Sequence, residues 1–205
     1  NQVVVMENFL KYYLPLFLLA YLLITFVLPS IRVYRQTGIN PVTFGKSDNA
    51  HDYIGGVMKL LTGLLVIAVL FFSFSERAYQ YLVPINYLQD TWIKYTGLIL
   101  VHASLIWIVI AQYHMKQSWR IGVDEKNKTE LITTGFFSLS RNPIFLGMIL
   151  STVGIFLIIP NAITFFTMAT TYIIIQIQIR LEEEHLVKQH GTIYTAYKQR
   201  VRRLI

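Results

Sequence analysis

Two apolar runs separated by a short turn decide the fold: IFLGMILSTVGIFLIIPNAITFFTMATTYIIIQIQI, residues 144–179. The runs 144–159 and 162–179 contain no charged residue, and only Pro160 and Asn161 lie between them. Two residues are too few to cross a membrane or a domain, so the pattern predicts two antiparallel helices joined as a tight hairpin.

Three further apolar runs precede this hairpin, at 9–28, 54–74 and 93–113, and we expect the first to stop at Pro29. About 20 helical residues cover the hydrocarbon core of a bilayer, which is ~30 Å thick. The chain is 54% hydrophobic and 14% charged, whereas about a quarter of the residues of a soluble domain are charged. The sequence therefore predicts an all-α integral membrane protein with five transmembrane helices, whose last span leads into a cytoplasmic tail helix.

The distribution of Lys and Arg predicts the orientation. Segments 30–53, 116–143 and 180–205 hold three, five and six of these residues, while the remaining connections hold only Arg77. The positive-inside rule then places the N-terminus outside and the C-terminus in the cytoplasm. We expect a bacterial or archaeal cell membrane. Because topology and contact with the lipid bilayer explain the net charge of +7, we expect no nucleic-acid partner.

No sequence feature divides the chain, so residues 1–205 are predicted to form one membrane domain. Residues 1–115 supply three spans, and residues 116–205 supply the long polar segments and the hairpin. The chain has no cysteine, which excludes disulfides, thiolate nucleophiles and Cys-based zinc sites. Zinc-protease, α/β-hydrolase, P-loop and Rossmann signatures are missing too, and we predict no metal site. The pattern leaves the oligomeric state open.

Arg141, Asn142 and Pro143 stand directly before the fourth apolar run. Asn is a favoured helix N-cap, and Pro suits the first helical turn. A helix start exposes unpaired backbone N–H groups and the positive end of the dipole, and the adjacent Arg adds forked donors. This stretch is predicted to bind a carboxylate or phosphate. Alternatively, it only begins and anchors a transmembrane helix.

Helical periodicity continues beyond the fifth run to a predicted stop at Gly191, and a second helix follows with Tyr194 and Tyr197 on one face. Glu182, Glu183 and Glu184 cover roughly 200° of the first helix, at about 100° per residue. At least one of them is therefore expected to face the protein and to meet either Arg141 or a cationic group of a ligand.

An alternative interpretation makes the Glu triplet a water-facing run that pairs with Arg180 and Lys188. Two histidines carry similar alternatives. We expect His102, inside the third span, to make an interhelical hydrogen bond, and we expect His114 to be an interfacial residue or, alternatively, a base or substrate contact.

The segment before Arg141 is a candidate for binding through its backbone. Residues 130–134 are predicted to be a short extended piece that ends at Gly135. Exposed N–H and C=O groups of such a piece can bind the edge of an adenine without particular side chains. The alternative is a solvated loop.

The C-terminal half resembles the isoprenylcysteine carboxyl methyltransferase and phospholipid methyltransferase families of integral-membrane enzymes. The resemblance rests on ELITTGFFSLSRNPIFLG at 130–147, on the hairpin after it and on EEEHLVKQHGTIYTAYKQRV at 182–201. It extends over about residues 116–205. It implies an enzyme that uses S-adenosylmethionine and releases S-adenosylhomocysteine.

The resemblance also implies roles for individual residues. The backbone of Leu131, Thr133, Thr134 and Gly135 would line the adenine, and Arg141 with the helix start at Asn142 and Pro143 would receive the methionine carboxylate. Glu182 or Glu183 would bind the ribose hydroxyls or the ammonium, and Tyr194 and Tyr197 would close the pocket. Glu183 or His114 is the predicted base. The family often has His at position 142 and Tyr at position 145, where this chain has Asn and Phe.

Methyl transfer requires the acceptor and the methyl group to be held in line, with water excluded. The predicted acceptor is a lipophilic or small membrane-soluble molecule that offers a carboxylate, thiol or amine. Two alternatives are an NADPH-dependent membrane reductase of sterol or enone type and a non-catalytic membrane scaffold protein. A reductase needs basic residues for phosphate groups, which the Glu triplet disfavours.

Overall fold

The computed structural model describes residues 2–43, 49–122 and 130–205. In chain order its elements are α1 (Gln2–Leu22), a π-helical segment (Leu23–Val27), α2 (Leu28–Thr37), α3 (Ala50–Phe74), α4 (Glu76–Gln80), α5 (Thr91–Met115), α6 (Pro143–Ile158), α7 (Ala162–His190) and α8 (Thr192–Arg200), with 3₁₀ turns at Asn86–Leu88, Lys116–Ser118 and Gly135–Ser138. Within the described ranges β-type pairing is confined to two isolated bridges. The prediction of an all-α membrane fold is confirmed.

Four helical stretches are long and apolar enough to cross a membrane: Val4–Thr37, Ala50–Phe74, Thr91–Ser118 and Ala162–His190. The helix α6 is also strongly apolar, but its 16 residues extend only ~24 Å at the α-helical rise. The structure therefore supports four spans, and α6 as a fifth span stays a prediction.

The first helix does not stop at Pro29, and this expectation was wrong. The chain continues through the π-helical segment and α2 to Thr37, and Gly38 then ends α2 with a left-handed φ of 68°. Pro29 has no N–H to offer the carbonyl of Thr25. Instead, the side-chain Nε2 of Gln112 donates to that carbonyl over 2.7 Å. A donor from α5 thus satisfies the acceptor that proline leaves open.

The predicted hairpin is confirmed, and Asn161 forms its turn. The Asn161 side chain accepts hydrogen bonds from the backbone N–H groups of Ile163 and Thr164, and the Thr164 hydroxyl accepts one from the Asn161 N–H. The connection between α3 and α5 packs on this turn, since Ile85 N donates to Pro160 O over 2.9 Å. The hairpin is therefore fixed at its closed end, opposite Arg141.

Small residues let α6 approach α5 closely. A Cβ atom added to Gly97 would lie 2.7 Å from the backbone oxygen of Gly154, and one added to Gly147 would lie 2.4 Å from the Ile108 side chain. Ser104 and Ser151 share a buried hydrogen bond of 2.8 Å across the same interface. This tight contact fixes the start of α6 relative to the end of α5.

His102 makes the expected interhelical hydrogen bond. Its Nε2 pairs with the hydroxyl of Tyr13 on α1, and its Nδ1 donates to the Leu98 carbonyl over 2.7 Å. Both ring nitrogens are engaged, so this histidine joins α1 to α5.

Candidate functional site

Glu183 lies at the centre of a cluster of cations. Its Oε1 accepts hydrogen bonds from Arg141 Nη2 (2.7 Å) and Nε (3.1 Å). Its Oε2 accepts one from Arg203 Nη2 over 2.8 Å and lies 3.6 Å from Lys198 Nζ. Glu183 is buried and Glu184 is exposed, which confirms that a member of the triplet faces the protein. The hydrogen bond to Glu183 also raises the pKa of Arg203.

The other donors of Arg141 hold the C-terminal segment. Its Nη1 donates to the carbonyl of Lys198 over 3.0 Å and to the carbonyl of Val201, and its backbone N–H donates to Arg202 O over 2.9 Å. Tyr194 is a further side-chain hydrogen-bond partner of this guanidinium. Arg141 therefore joins three parts of the chain.

Asn142 occupies the N-cap position of α6, but its side chain makes no capping hydrogen bond. That expectation was wrong because its Nδ2 donates instead to the Arg203 carbonyl over 3.0 Å. Pro143 stands in the first turn as predicted, and its carbonyl accepts a hydrogen bond from Trp107 Nε1 over 2.9 Å. The C-terminal segment and α5 together fix the start of α6.

A cavity of about 490 Å³ lies beside this helix start, and we call it the site cavity. Residues of α3, α5, α6 and α7 form most of its wall. Most of the lining side chains are apolar, and its polar members are Lys59, Thr62, Gln112, Arg120, Arg141, Asn142, Gln178 and Glu182. A mainly apolar wall with a few polar groups is typical of a binding site for a small organic ligand.

Glu182 presents a carboxylate to the site cavity. Gln178, one helical turn earlier, donates from Nε2 to Glu182 Oε1 over 2.7 Å. The Gln178 oxygen faces His51 Nδ1 at 3.4 Å, which favours the orientation that points the amide NH₂ towards Glu182. Among the described residues no cation forms an ion pair with Glu182. This carboxylate is therefore placed to meet a cationic or hydroxyl group of a ligand.

Only part of the predicted site lies on this wall. The structure brings together Arg141, Asn142, Pro143 and Glu182, whereas Leu131, Thr133, Thr134, Gly135, His114, Glu183, Tyr194 and Tyr197 lie outside the lining of the site cavity. Their predicted contacts with a cofactor stay predictions.

His114 packs against the turn that follows residues 130–134. Gly135 has a φ of 62°, and a Cβ atom there would lie 2.7 Å from the His114 ring. Phe136 stacks on Trp107 with 4.2 Å between ring centroids and meets the His114 ring edge-on at 5.7 Å. The Nδ1 of His114 is buried and has no hydrogen-bond partner within the described ranges. Gly135, one of the residues predicted to line the adenine, thus lies beside this imidazole.

Tyr194 and Tyr197 are buried where α8 packs on the chain before α6. Tyr197 donates from its hydroxyl to the Phe137 carbonyl over 2.6 Å. Burial raises the pKa of Tyr197 to about 12 and also raises the pKa of Tyr194. Both phenols therefore remain neutral at physiological pH, and Tyr197 acts as a hydrogen-bond donor that anchors α8.

Two residues of the candidate site, Arg203 and Gln178, were not predicted from the sequence. Arg203 belongs to a basic C-terminal run in which no spacing distinguishes a buried partner from a solvated cation. Gln178 stands four residues before Glu182, a spacing that places two side chains on one helix face and provides a usable signal.

Comparison with known families finds a match that covers most of the C-terminal half of the chain. The sequence model of the phospholipid methyltransferase family matches residues 92–193, which run from the start of α5 into α8. The match confirms the resemblance carried by residues 130–147 and the Glu triplet. No curated protein matches the chain.

Proposed function

The chain belongs, through residues 92–193, to the phospholipid methyltransferase family, and we propose that it transfers a methyl group from S-adenosylmethionine to a lipophilic acceptor within the membrane. The family implies a methyltransferase, and the helices are long enough to cross a bilayer. One observation carries the proposal: the site cavity joins the start of α6 at Arg141 to Glu182 on α7.

The charges on the cavity wall fit a zwitterionic cofactor. We assign the ammonium or the ribose hydroxyls of S-adenosylmethionine to Glu182, because this carboxylate has no cationic partner among the described residues. The methionine carboxylate is assigned to the guanidinium of Arg141 and to the start of α6. Lys59 and Arg120 are two further cations on the same wall.

Glu183 is better suited to positioning than to binding or proton transfer. Its oxygens already receive Arg141, Arg203 and Lys198, so it holds the guanidinium of Arg141 in place. When bound, the cofactor supplies an electrophilic methyl group on a sulfonium. The chain has to hold the acceptor in line with that group and keep water away.

The apolar part of the cavity wall supports a lipophilic acceptor. Phe26, Met58, Met148 and Ile174 contribute to it from four different elements. An acceptor that reacts as a carboxylate is already ionised at neutral pH, whereas a thiol or amine has to lose a proton. All three acceptor classes stay within the proposal.

Calorimetry on the full chain in detergent tests the cofactor. We expect S-adenosylhomocysteine to bind the unaltered chain, and we expect the Glu182→Gln variant to bind it at least tenfold more weakly. The exposed Glu184→Gln serves as the matched control. Binding of NADPH instead would favour the reductase alternative. Failure of a folded chain to bind either molecule would contradict the proposal.

Methyl transfer itself is tested with methyl-labelled S-adenosylmethionine. The full chain is incubated with a membrane lipid extract and with small thiols, and mass spectrometry identifies the labelled product. Label in a lipid or a membrane-soluble small molecule supports the proposal. Cofactor binding without any labelled product would contradict it.

A further inference from the structure

We propose that a second cavity binds the phosphate group of an anionic membrane lipid. This basic cavity has a volume of about 550 Å³ and lies between the end of α2 and the end of α5. Its charged lining residues are Arg32, Lys116, Arg120 and Glu130. The inference goes beyond the proposed function and does not depend on it.

Arg32 provides a donor that lacks an acceptor. Its Nη2 donates to the Gln112 carbonyl over 3.3 Å. Its Nε is buried, and no hydrogen-bond partner for it exists in the described part of the chain. A buried unpaired donor destabilises a structure, and it does so more strongly when the group is charged. Arg32 also lines the basic cavity, so its guanidinium contributes positive charge next to a bound phosphate.

Two more cations line the same cavity. Lys116 follows α5 with a φ of 48°, and its exposed side chain forms no ion pair with a described residue. Arg120 is held close by, since its Nη1 donates to the Gln117 carbonyl over 2.7 Å. Glu130 is the only carboxylate among the described lining residues, so the local charge favours an anion.

The position of the cavity favours a lipid over a soluble ligand. Tyr34 and Tyr113 lie on the outside of α2 and α5 at this end, and their side chains are 58% and 69% exposed. Exposed tyrosines at the ends of apolar helices mark the headgroup level of a bilayer. Tyr113 itself lines the basic cavity, as do Ile39 and Ile132. A lipid phosphodiester therefore matches both the charge and the depth of the site.

Native mass spectrometry of the full chain in a neutral detergent tests the proposal, with dioleoyl phosphatidylglycerol as the probe. We expect one retained lipid, with a dissociation constant at least tenfold higher in Arg32→Gln and severalfold higher in Lys116→Gln. Arg35→Gln is the matched control, because Arg35 is an exposed cation on the same helix that does not line the cavity. We expect it to change the constant less than twofold.

A second measurement separates lipid from soluble phosphate. In calorimetry, glycerol phosphate is expected to bind at least a hundredfold more weakly than phosphatidylglycerol, and equal binding would overturn the assignment to a lipid. If Arg32→Gln and Arg35→Gln weaken phosphatidylglycerol binding equally, general surface charge explains the binding, and the proposed site is wrong. S-adenosylhomocysteine binding by the same variants reports on the fold and on the proposed function separately. If Arg32→Gln unfolds the chain, the exposed Lys116→Gln decides the outcome.

Discussion

Arg141 Nη2 donates to Glu183 Oε1 over 2.7 Å, and the two side chains are only 7% and 3% exposed. The pair ties the start of α6 to α7 at the open end of the hairpin, opposite the Asn161 turn. Removing one partner from a buried ion pair leaves a charge without compensation, which costs about 3–5 kcal/mol. The same residues that position Arg141 beside the site cavity therefore also stabilise the fold.

Glu183→Gln is expected to lower the stability of the chain. The substitution leaves Arg141 and Arg203 without their shared carboxylate, so we expect the midpoint of thermal unfolding in detergent to fall by several degrees. Glu184→Gln, at the neighbouring exposed position, should leave the midpoint unchanged. An Arg141→Gln, Glu183→Gln double variant should lose less than the sum of the single variants. Additive losses would contradict the importance of the pair.

Glu182→Gln should weaken cofactor binding and leave the stability of the chain nearly unchanged. Glu182 lies on the cavity wall and its neighbour Glu183 does not, so the change should weaken S-adenosylhomocysteine binding at least tenfold, or ~1.4 kcal/mol. The midpoint of thermal unfolding should stay within a degree or two of the unaltered chain. Calorimetry and thermal unfolding together make the distinction. Glu130→Gln should change neither quantity, and weaker cofactor binding in that variant would contradict the assignment of the carboxylates.

Local patterns predicted those parts of the molecule that local interactions determine. The hairpin followed from Pro160 and Asn161, because capping at a two-residue turn needs only neighbours in the chain. The continuation of the helix beyond Pro29 was not predicted, because Gln112 on a distant helix donates to the Thr25 carbonyl that Pro29 leaves without a partner. Likewise, the Glu triplet predicted an inward carboxylate, but Arg203 as its partner depends on how the C-terminal segment lies.

Gly97→Ala should destabilise the contact between α5 and α6. The added Cβ atom would lie 2.7 Å from the Gly154 backbone oxygen, so one helix has to move away from the other. Gly63→Ala is the control, because a Cβ atom there meets no atom within 4 Å. We expect the control to be neutral or slightly stabilising, since alanine favours a helix over glycine. Equal unfolding midpoints for the two variants would show that the interface is looser than described.

Gln112→Leu tests how the first helix passes Pro29. The change removes the donor to the Thr25 carbonyl, and an unsatisfied buried acceptor costs about 1–3 kcal/mol. In a Pro29→Ala background, the new backbone N–H of residue 29 can serve that carbonyl. We therefore expect Gln112→Leu to lower the unfolding midpoint much less in that background. The same loss in both backgrounds would mean that the hydrogen bond contributes little to stability.

The hydroxyl of Tyr197 should make the stability of the chain depend on alkaline pH. Burial raises its pKa to about 12 in the folded chain, whereas an unfolded tyrosine has a pKa near 10. A raised pKa favours the protonated form, so its contribution is fully present below about pH 10 and is lost as pH rises towards 12. We expect Tyr197→Phe to lose the hydrogen bond to Phe137 at neutral pH and to show a weaker fall in the unfolding midpoint between about pH 10 and 12. Tyr87→Phe, at a residue that is 84% exposed, is the control and should follow the unaltered chain. A Tyr197→Phe variant with the same alkaline profile would contradict the assignment.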